Sequence, residues 1–159
     1  MHSVSERFQA VVSLPFGAVG ISLEGGRLSG IEYLCGSAEA YRSDSPGLDS
    51  VMQQIEAYLN DPSNCFELEP RLQGIPFQQR VWHELQTIPA GEALTYGQLA
   101  ARIGSGARAV GGACRANPCP LVVPCHRVVA SKGLGGFAGE TAGRKLEIKR
   151  WLLHHEGWL

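Results

Sequence analysis

Pro124-Cys125-His126-Arg127 sets a nucleophile and a base side by side. A cysteine reacts as its thiolate, so it needs a base or a positive neighbour to remove its proton. His126 is the obvious candidate. In a strand, adjacent side chains point to opposite faces, so contact between Sγ and the imidazole calls for a bent backbone or a bridging water. An unperturbed thiol, pKa about 8.5, is only about 5–10% thiolate near neutral pH, so complete ionisation gains roughly tenfold at most. Lowering the pKa also weakens intrinsic nucleophilicity. A large rate enhancement must therefore come from in-line positioning and from stabilising the leaving group. The chain has five cysteines, an odd number that excludes a complete set of internal disulfides. No C-x-x-C pair and no four-ligand zinc spacing is visible. Free thiols in a reducing compartment are expected, with no metal.

The elements that must position this pair can be read from periodicity. Phe8, Ala10, Val12 and Leu14 alternate, as do Val19, Ile21 and Leu23, and Glu24-Gly25-Gly26-Arg27 reads as a hairpin turn leading to Leu28, Ile31 and Tyr33. Ser45 is expected to cap a helix with Pro46 at its first position. Leu48, Val51, Met52, Ile55 and Leu59 form its apolar face, and Asp61-Pro62 stops it. Phe66 and Leu68 suggest a further strand, and Pro70 to Pro76 a linker. Beyond it Phe77, Val81, Leu85 and Ile88 recur at helical spacing, broken by Pro89-Ala90-Gly91. Thr95-Tyr96-Gly97-Gln98 has the form of a capping box, starting a helix that ends near Gly104. Only Ser105 and Gly106 separate it from a second helix at about 107–116, with Arg108 at its start and Arg115 near its end. Two short helices on a tight Gly-containing turn are the helix-turn-helix pattern. Leu121 to Pro124 reads as a short buried strand, Gly133 to Gly143 as a Gly-rich loop, and Arg144 to His155 as the last helix with Gly157 past its end. The expected fold is a small α/β N-terminal domain at 1–70, an antiparallel sheet with a helix, and a mostly helical C-terminal domain at 76–159.

The 159 residues are 44% hydrophobic and 18% charged, ordinary globular composition. No apolar run approaches the roughly 20 residues of a membrane span, and the first residues lack the apolar stretch of a signal peptide. A cytoplasmic protein is expected, nuclear if the source is eukaryotic, with no membrane partner. The net charge of −1 hides an asymmetry. Residues 1–74 carry four arginines against ten acids, and residues 75–159 carry ten bases against five acids. A basic half within a near-neutral protein suggests a polyanion as its partner.

The run Asn117-Pro118-Cys119-Pro120-Leu121-Val122-Val123-Pro124-Cys125-His126-Arg127-Val128-Val129 closely resembles the active-site signature of the O6-alkylguanine-DNA alkyltransferases. Arg108 to Ala113 resembles that family's recognition-helix start, Gly91 to Ala100 the segment carrying its tyrosine, and Trp151 to Gly157 its terminal helix. The likeness covers about residues 76–157 in order. Residues 1–70 match only in general form. The resemblance implies that Cys125 attacks the alkyl carbon on guanine O6 and that His126 takes its proton through a water, oriented by Glu156. It implies that Asn117 braces the active-site turn, that Tyr96 donates to guanine N3, and that the carbonyls of Cys125 and Val128 read the exocyclic amine. Pro120, Val128, Phe137 and Ala138 would line the substrate pocket. Arg108 would fill the stack left by a flipped nucleotide, with Ala109, Gly111, Gly112, Ala113 and Arg115 on the DNA side. The implied partner is double-stranded DNA containing O6-alkylguanine, entered from the minor groove by a monomer without cofactor. Phe137 and Ala138 stand where many members have a tyrosine or a serine, which points to lower affinity for the free base. The product thioether offers water no leaving group, so each molecule should act once. The alternatives are a non-enzymatic alkylated-DNA-binding or regulatory helix-turn-helix protein, and a cysteine hydrolase, which would turn over and need an oxyanion hole.

Overall fold

The turn at Gly25 and Gly26, with φ of 61° and 79°, organises the first half of the chain. Both angles are left-handed, the requirement of a two-residue hairpin whose twist matches its strands. A computed structural model describes residues 7–34, 38–135 and 143–159. It divides between Leu72 and Gln73 into two compact units.

In the first unit, β1 (Ala10–Leu14), β2 (Gly17–Glu24), β3 (Arg27–Leu34) and β4 (Tyr41–Arg42) form an antiparallel sheet in the order β3-β2-β1-β4. The register of β2 on β3 shifts between Ser22 and Leu23, which pair with Gly30 and Leu28. That bulge explains why Leu28 and Ile31, three residues apart, are both buried. In β1 the alternation is imperfect, since Ala10 and its neighbour Val11 are both buried.

Helix α1 (Leu48–Asn60) begins later than the sequence suggests. Its N-cap is Gly47, at φ 88°, and Ser45 instead bonds Ser43 through their hydroxyls. The cause is distant in sequence. A Cβ on residue 47 would collide with the Gly26 carbonyl oxygen, so the chain reaches the helix as a glycine pressed against the hairpin tip. Helix α1 buries Leu48, Val51, Ile55 and Tyr58, so Tyr58 takes the place expected of Leu59. It ends at Asn60 as expected. No strand forms at Phe66 and Leu68. The main chain of Glu67 is held instead by the Gln54 side chain, which accepts from its N–H at 2.6 Å and donates to its carbonyl at 3.3 Å.

In the second unit, α2 (Pro76–Leu85) buries Val81, Trp82 and Leu85 and ends before the expected Ile88, which is buried in the following turn. Trp82 Nε1 donates to the Ala113 carbonyl at 2.8 Å and so ties α2 to α4 (Ala107–Arg115). Between them lie β5 (Leu94–Thr95) and α3 (Tyr96–Ile103). The expected capping box is present: Thr95 accepts from the Gln98 N–H, and the Gln98 side chain accepts from the Thr95 N–H. Gly104 ends α3 at φ 68°, and Arg80 donates to the Ile103 carbonyl there. After α4 come a single 3₁₀ turn at Cys125–Arg127, β6 (Val128–Val129) and α5 (Arg144–His155). Strand β6 pairs with β5 in parallel, Leu94 to Val128 and Thr95 to Val129. Among the described residues no helix is long and apolar enough to cross a membrane.

Candidate active site

The chain between α4 and the 3₁₀ turn is a braced arch, not the strand expected at Leu121 to Pro124. Asn117 makes it so. Its Nδ2 donates to the Val123 carbonyl at 2.8 Å, its Oδ1 accepts from the Cys119 N–H at 3.0 Å, and its own N–H donates to the Cys114 carbonyl. Bridged across six residues, the arch carries Leu121 at φ 78°, the one left-handed non-glycine among the described residues. Such a residue costs of order 1–3 kcal/mol and persists only where its surroundings over-determine it. Leu121 is buried, and the Val123 N–H closes onto the Cys119 carbonyl beside it. The valines stay buried as expected, but by curling inward.

This arch delivers Cys125 at the start of the 3₁₀ turn, where its N–H donates to the Val123 carbonyl. The bent backbone removes the opposite-face geometry of a strand. Cys125 is 6% exposed and His126 is fully buried. Burial pushes the Cys125 thiol up to about 11, against the opposing effects of a hydrogen bond with Asn117 and the charge of Lys149. Cys114 and Cys119 are pushed up to about 12, again by burial.

His126 Nε2 donates to Glu156 Oε2 at 2.7 Å, with both side chains fully buried. Glu156 follows the last residue of α5. Arg127 closes the group: its Nε donates to Glu156 Oε1 at 2.8 Å, its Nη2 to Oε2 at 3.0 Å, and its Nη1 to the Ile88 carbonyl at 2.6 Å. Burial alone would raise the Glu156 carboxyl, but the hydrogen bonds and charges facing it hold it well below the usual carboxylate range. Bidentate pairing with a guanidinium that cannot lose its proton is sufficient cause. His126 is shifted down, first by burial and then by the charges of Arg127 and Lys149, against the raising effect of Glu156. Burial and the two cations thus favour the neutral imidazole, with Nε2 directed at the carboxylate. Its Nδ1, also buried, accepts no hydrogen bond among the described residues.

Lys149 is fully buried in α5, donates to the Val128 carbonyl at 2.7 Å, and lies 5.8 Å from the Tyr96 ring centroid. Burial lowers it to about 8, against the raising effect of the Cys125 and Cys114 thiols. Tyr96, partly buried at the first position of α3, is raised to about 12 chiefly by burial, so its hydroxyl keeps its proton. Gly135 packs on it: a Cβ there would stand 3.2 Å from the Tyr96 ring.

The arrangement thus brings Cys125, His126, Glu156 and Asn117 together, with Tyr96 tied in through Lys149. Pro120 is half-buried and Val128 buried, while Phe137 and Ala138 lie outside the described residues. On α4, Arg108, Ala109, Gly112 and Arg115 are exposed and Gly111 is half-buried. Ala113 does not belong on that outer face. It is 3% exposed, turned inward beside the Trp82 anchor. Two site residues, Arg127 and Lys149, went unassigned in the sequence. Arg127 completes the tetrapeptide. Lys149 could have been found by spacing, since Leu152, Leu153 and Glu156 follow it at three, four and seven residues on one helix face. Among the described residues no group of three or more His, Cys, Asp or Glu could hold a metal ion.

The second unit thus holds a buried thiol beside an imidazole–carboxylate pair and also presents two short helices. Comparison with known proteins identifies the family. The sequence profile described as 6-O-methylguanine DNA methyltransferase, DNA binding domain, matches residues 76–158. A methylated-DNA–protein-cysteine methyltransferase of Metallosphaera sedula is 35% identical over 146 residues, covering 91% of this chain and 90% of that protein. One from Salmonella typhimurium is 50% identical over 95 residues, covering 58% of this chain and 53% of that protein, so the match spans about half its length. The crystal structure of Mycobacterium tuberculosis OGT in complex with DNA superposes with a TM-score of 0.77 at 37% identity, covering 92% of this chain and 90% of that one. The chain belongs to the methylated-DNA–protein-cysteine methyltransferase family.

Proposed function

We propose that this protein repairs DNA by moving the alkyl group from O6 of an alkylated guanine onto Sγ of its own Cys125, once per molecule. The observation that carries this reading is the buried Cys125–His126–Glu156 group, in which His126 Nε2 bonds the carboxylate and Nδ1 has no hydrogen-bond partner among the described residues. The names of the relatives and the DNA complex of the Mycobacterium tuberculosis protein support it.

With the thiol raised to about 11, the resting thiolate fraction is negligible. In this reading proton removal accompanies attack. Through a water, His126 Nδ1 takes the thiol proton as Sγ closes on the alkyl carbon. A carbon–sulfur bond forms, the carbon–oxygen bond breaks, and its electron pair passes to the guanine. Tyr96, held protonated, donates to N3 as negative charge builds on the base. The Cys125 and Val128 carbonyls each already accept one bond, from the Val128 N–H and from Lys149, and each keeps a second lone pair for the exocyclic amine. Pro120 and Val128 wall the alkyl group. The product is a thioether, which water cannot displace, so reaction stops after one event.

O6 is not accessible to a buried thiol inside a paired duplex, so the nucleotide must be flipped out. In this reading α3 and α4 act as a helix-turn-helix, and α4 enters the minor groove with Arg108 filling the vacated stack. Mid-helix glycine costs about 1 kcal/mol against alanine. A Cβ at Gly111 or Gly112 would meet nothing within 4 Å, so no internal packing requires either glycine. Close approach of a DNA backbone does. The excess of bases over acids in residues 75–159 suits a binding mode dominated by phosphate, salt-dependent and weakly dependent on sequence.

The test is intact-mass analysis after mixing with duplex DNA containing O6-methylguanine. Addition of one methylene unit to the parent, and none to Cys125→Ser while it still binds DNA, is the expected result. An unchanged parent mass with retained binding would favour a recognition module without chemistry. Repeated consumption of substrate would favour a hydrolase.

A further inference from the structure

We infer that Arg127 is a positioning residue of this transfer: by taking up the charge of Glu156, it lets one carboxylate orient His126 without protonating it. The inference rests on the alkyl-transfer reading and adds a part to it. An imidazole paired with a lone buried carboxylate is driven towards imidazolium, because an opposite charge in contact raises a pKa by roughly one to three units. An imidazolium cannot accept the thiol proton. Here the carboxylate is shared. Oε2 accepts from both His126 Nε2 and Arg127 Nη2, and Oε1 accepts from Arg127 Nε. The guanidinium is also fixed by the Ile88 carbonyl, so three of its nitrogens are held at once. A guanidinium is a permanent cation in proteins. The compensation is therefore built in and independent of pH.

The groups facing His126 can be named element by element. Glu156 lies at the end of α5 and Lys149 within it, and Cys125 and Arg127 flank His126 in its own turn. The titratable side chains of α2 are engaged or exposed elsewhere: Arg80 bonds the Ile103 carbonyl, Glu84 pairs with Arg102, and His83 is exposed. Of the two cations that oppose imidazolium, Arg127 grips the carboxylate that orients the ring through two of its nitrogens.

The experiment follows the His126 ring nitrogens by NMR across pH in the free protein, and the pH profile of Cys125 alkylation by O6-methylguanine DNA. It compares the parent with Arg127→Gln and Arg127→Lys. Removing the charge should raise the His126 titration by roughly one unit and carry the acid limb of alkylation up with it. Lysine retains the charge without the fork, so it should slow alkylation while leaving the limb near its parent position. An unmoved titration in a folded Arg127→Gln, or equal displacement in the two variants, would overturn the inference. Should Arg127→Gln fail to fold, Glu156→Gln/Arg127→Gln against Glu156→Gln alone decides, since no carboxylate is then stranded. The double variant must titrate higher, and identical titrations would overturn the inference. The NMR reading needs no DNA, so a parent that accepts no alkyl group would sink the proposed function while leaving this measurement standing.

Discussion

Replacing Glu156 by glutamine tests the buried group as a structural unit. The carboxylate accepts three charge-assisted bonds at 2.7, 2.8 and 3.0 Å. Glutamine keeps the volume and one acceptor oxygen, but turns an NH₂ towards groups that are themselves donors, and it strands a guanidinium whose side chain is only 11% exposed. Breaking a buried pair by removing one partner costs about 3–5 kcal/mol. The acceptor that glutamine retains argues for the lower end, about 3 kcal/mol. For a chain of this length each kcal/mol moves Tm by roughly 2–4 °C, so a loss of about 6–12 °C is expected. Glu156→Gln/Arg127→Met removes the stranded cation as well and should lose less than the sum of the two single variants, with a coupling of about 2–3 kcal/mol. The sign with pH follows from the depressed carboxyl. The folded state binds this proton more weakly than the unfolded chain, so the parent's advantage is full above about pH 4.3 and fades as pH falls below it. Alkylation of Cys125 should also slow by roughly 100-fold, the low end of what a positioned base contributes. Differential scanning calorimetry and urea titration at several pH values read the stability terms. A single-variant loss below about 1 kcal/mol, or additive singles, would refute the reasoning and leave Glu156 an ordinary helix-end residue.

Arg108→Ala should slow repair of duplex DNA at least roughly tenfold more than reaction with the free O6-alkylguanine base, because nothing needs flipping in the free base; equal losses in single-turnover assays would assign Arg108 a structural role. Gly112→Ala should stabilise the protein by about 0.5–1 kcal/mol, since its Cβ meets open space in a helix interior, and should weaken DNA binding measured by fluorescence anisotropy. Unchanged affinity would remove the glycine from the interface. For Lys149→Met the sign comes from a folded pKa near 8 against 10.5 for the free side chain. The unfolded chain binds more protons between those values, so the parent should gain on the variant by about 3 kcal/mol as pH rises from 8 to 10.5 and hold steady below 8. A difference independent of pH in denaturant titrations would contradict the burial of an ammonium there.

What could be read in the sequence was local. The capping box at Thr95 and Gln98, the Gly25-Gly26 hairpin and the left-handed Gly104 each depend on residues within one turn of chain, and each is present. What could not be read depends on distant neighbours. Ser45-Pro46 has the form of a helix start, yet the close approach of the Gly26 carbonyl moves that start to Gly47. Leu121 to Pro124 has the hydrophobicity of a strand, yet Asn117 reaches across to Val123 and bends it into an arch. The period of α4 alone does not say that Ala113 faces inward, because the Trp82 anchor that fixes its rotation lies 31 residues away. In the site, Cys125 and His126 announced themselves as neighbours. Glu156 was legible only through resemblance, since nothing local ties it to a histidine 30 residues earlier. Arg127 and Lys149 do their work through partners that only the fold supplies.

The central claim, one alkyl transfer to Cys125 and then no more, is tested most directly by mixing the protein with increasing excess of duplex DNA carrying isotopically labelled O6-methylguanine and mapping the label onto peptides. Label is expected on Cys125 alone, rising to one per protein and staying there at any excess of DNA. Label on Cys114 or Cys119, methyl released beyond one equivalent, or binding with no label transferred would contradict it.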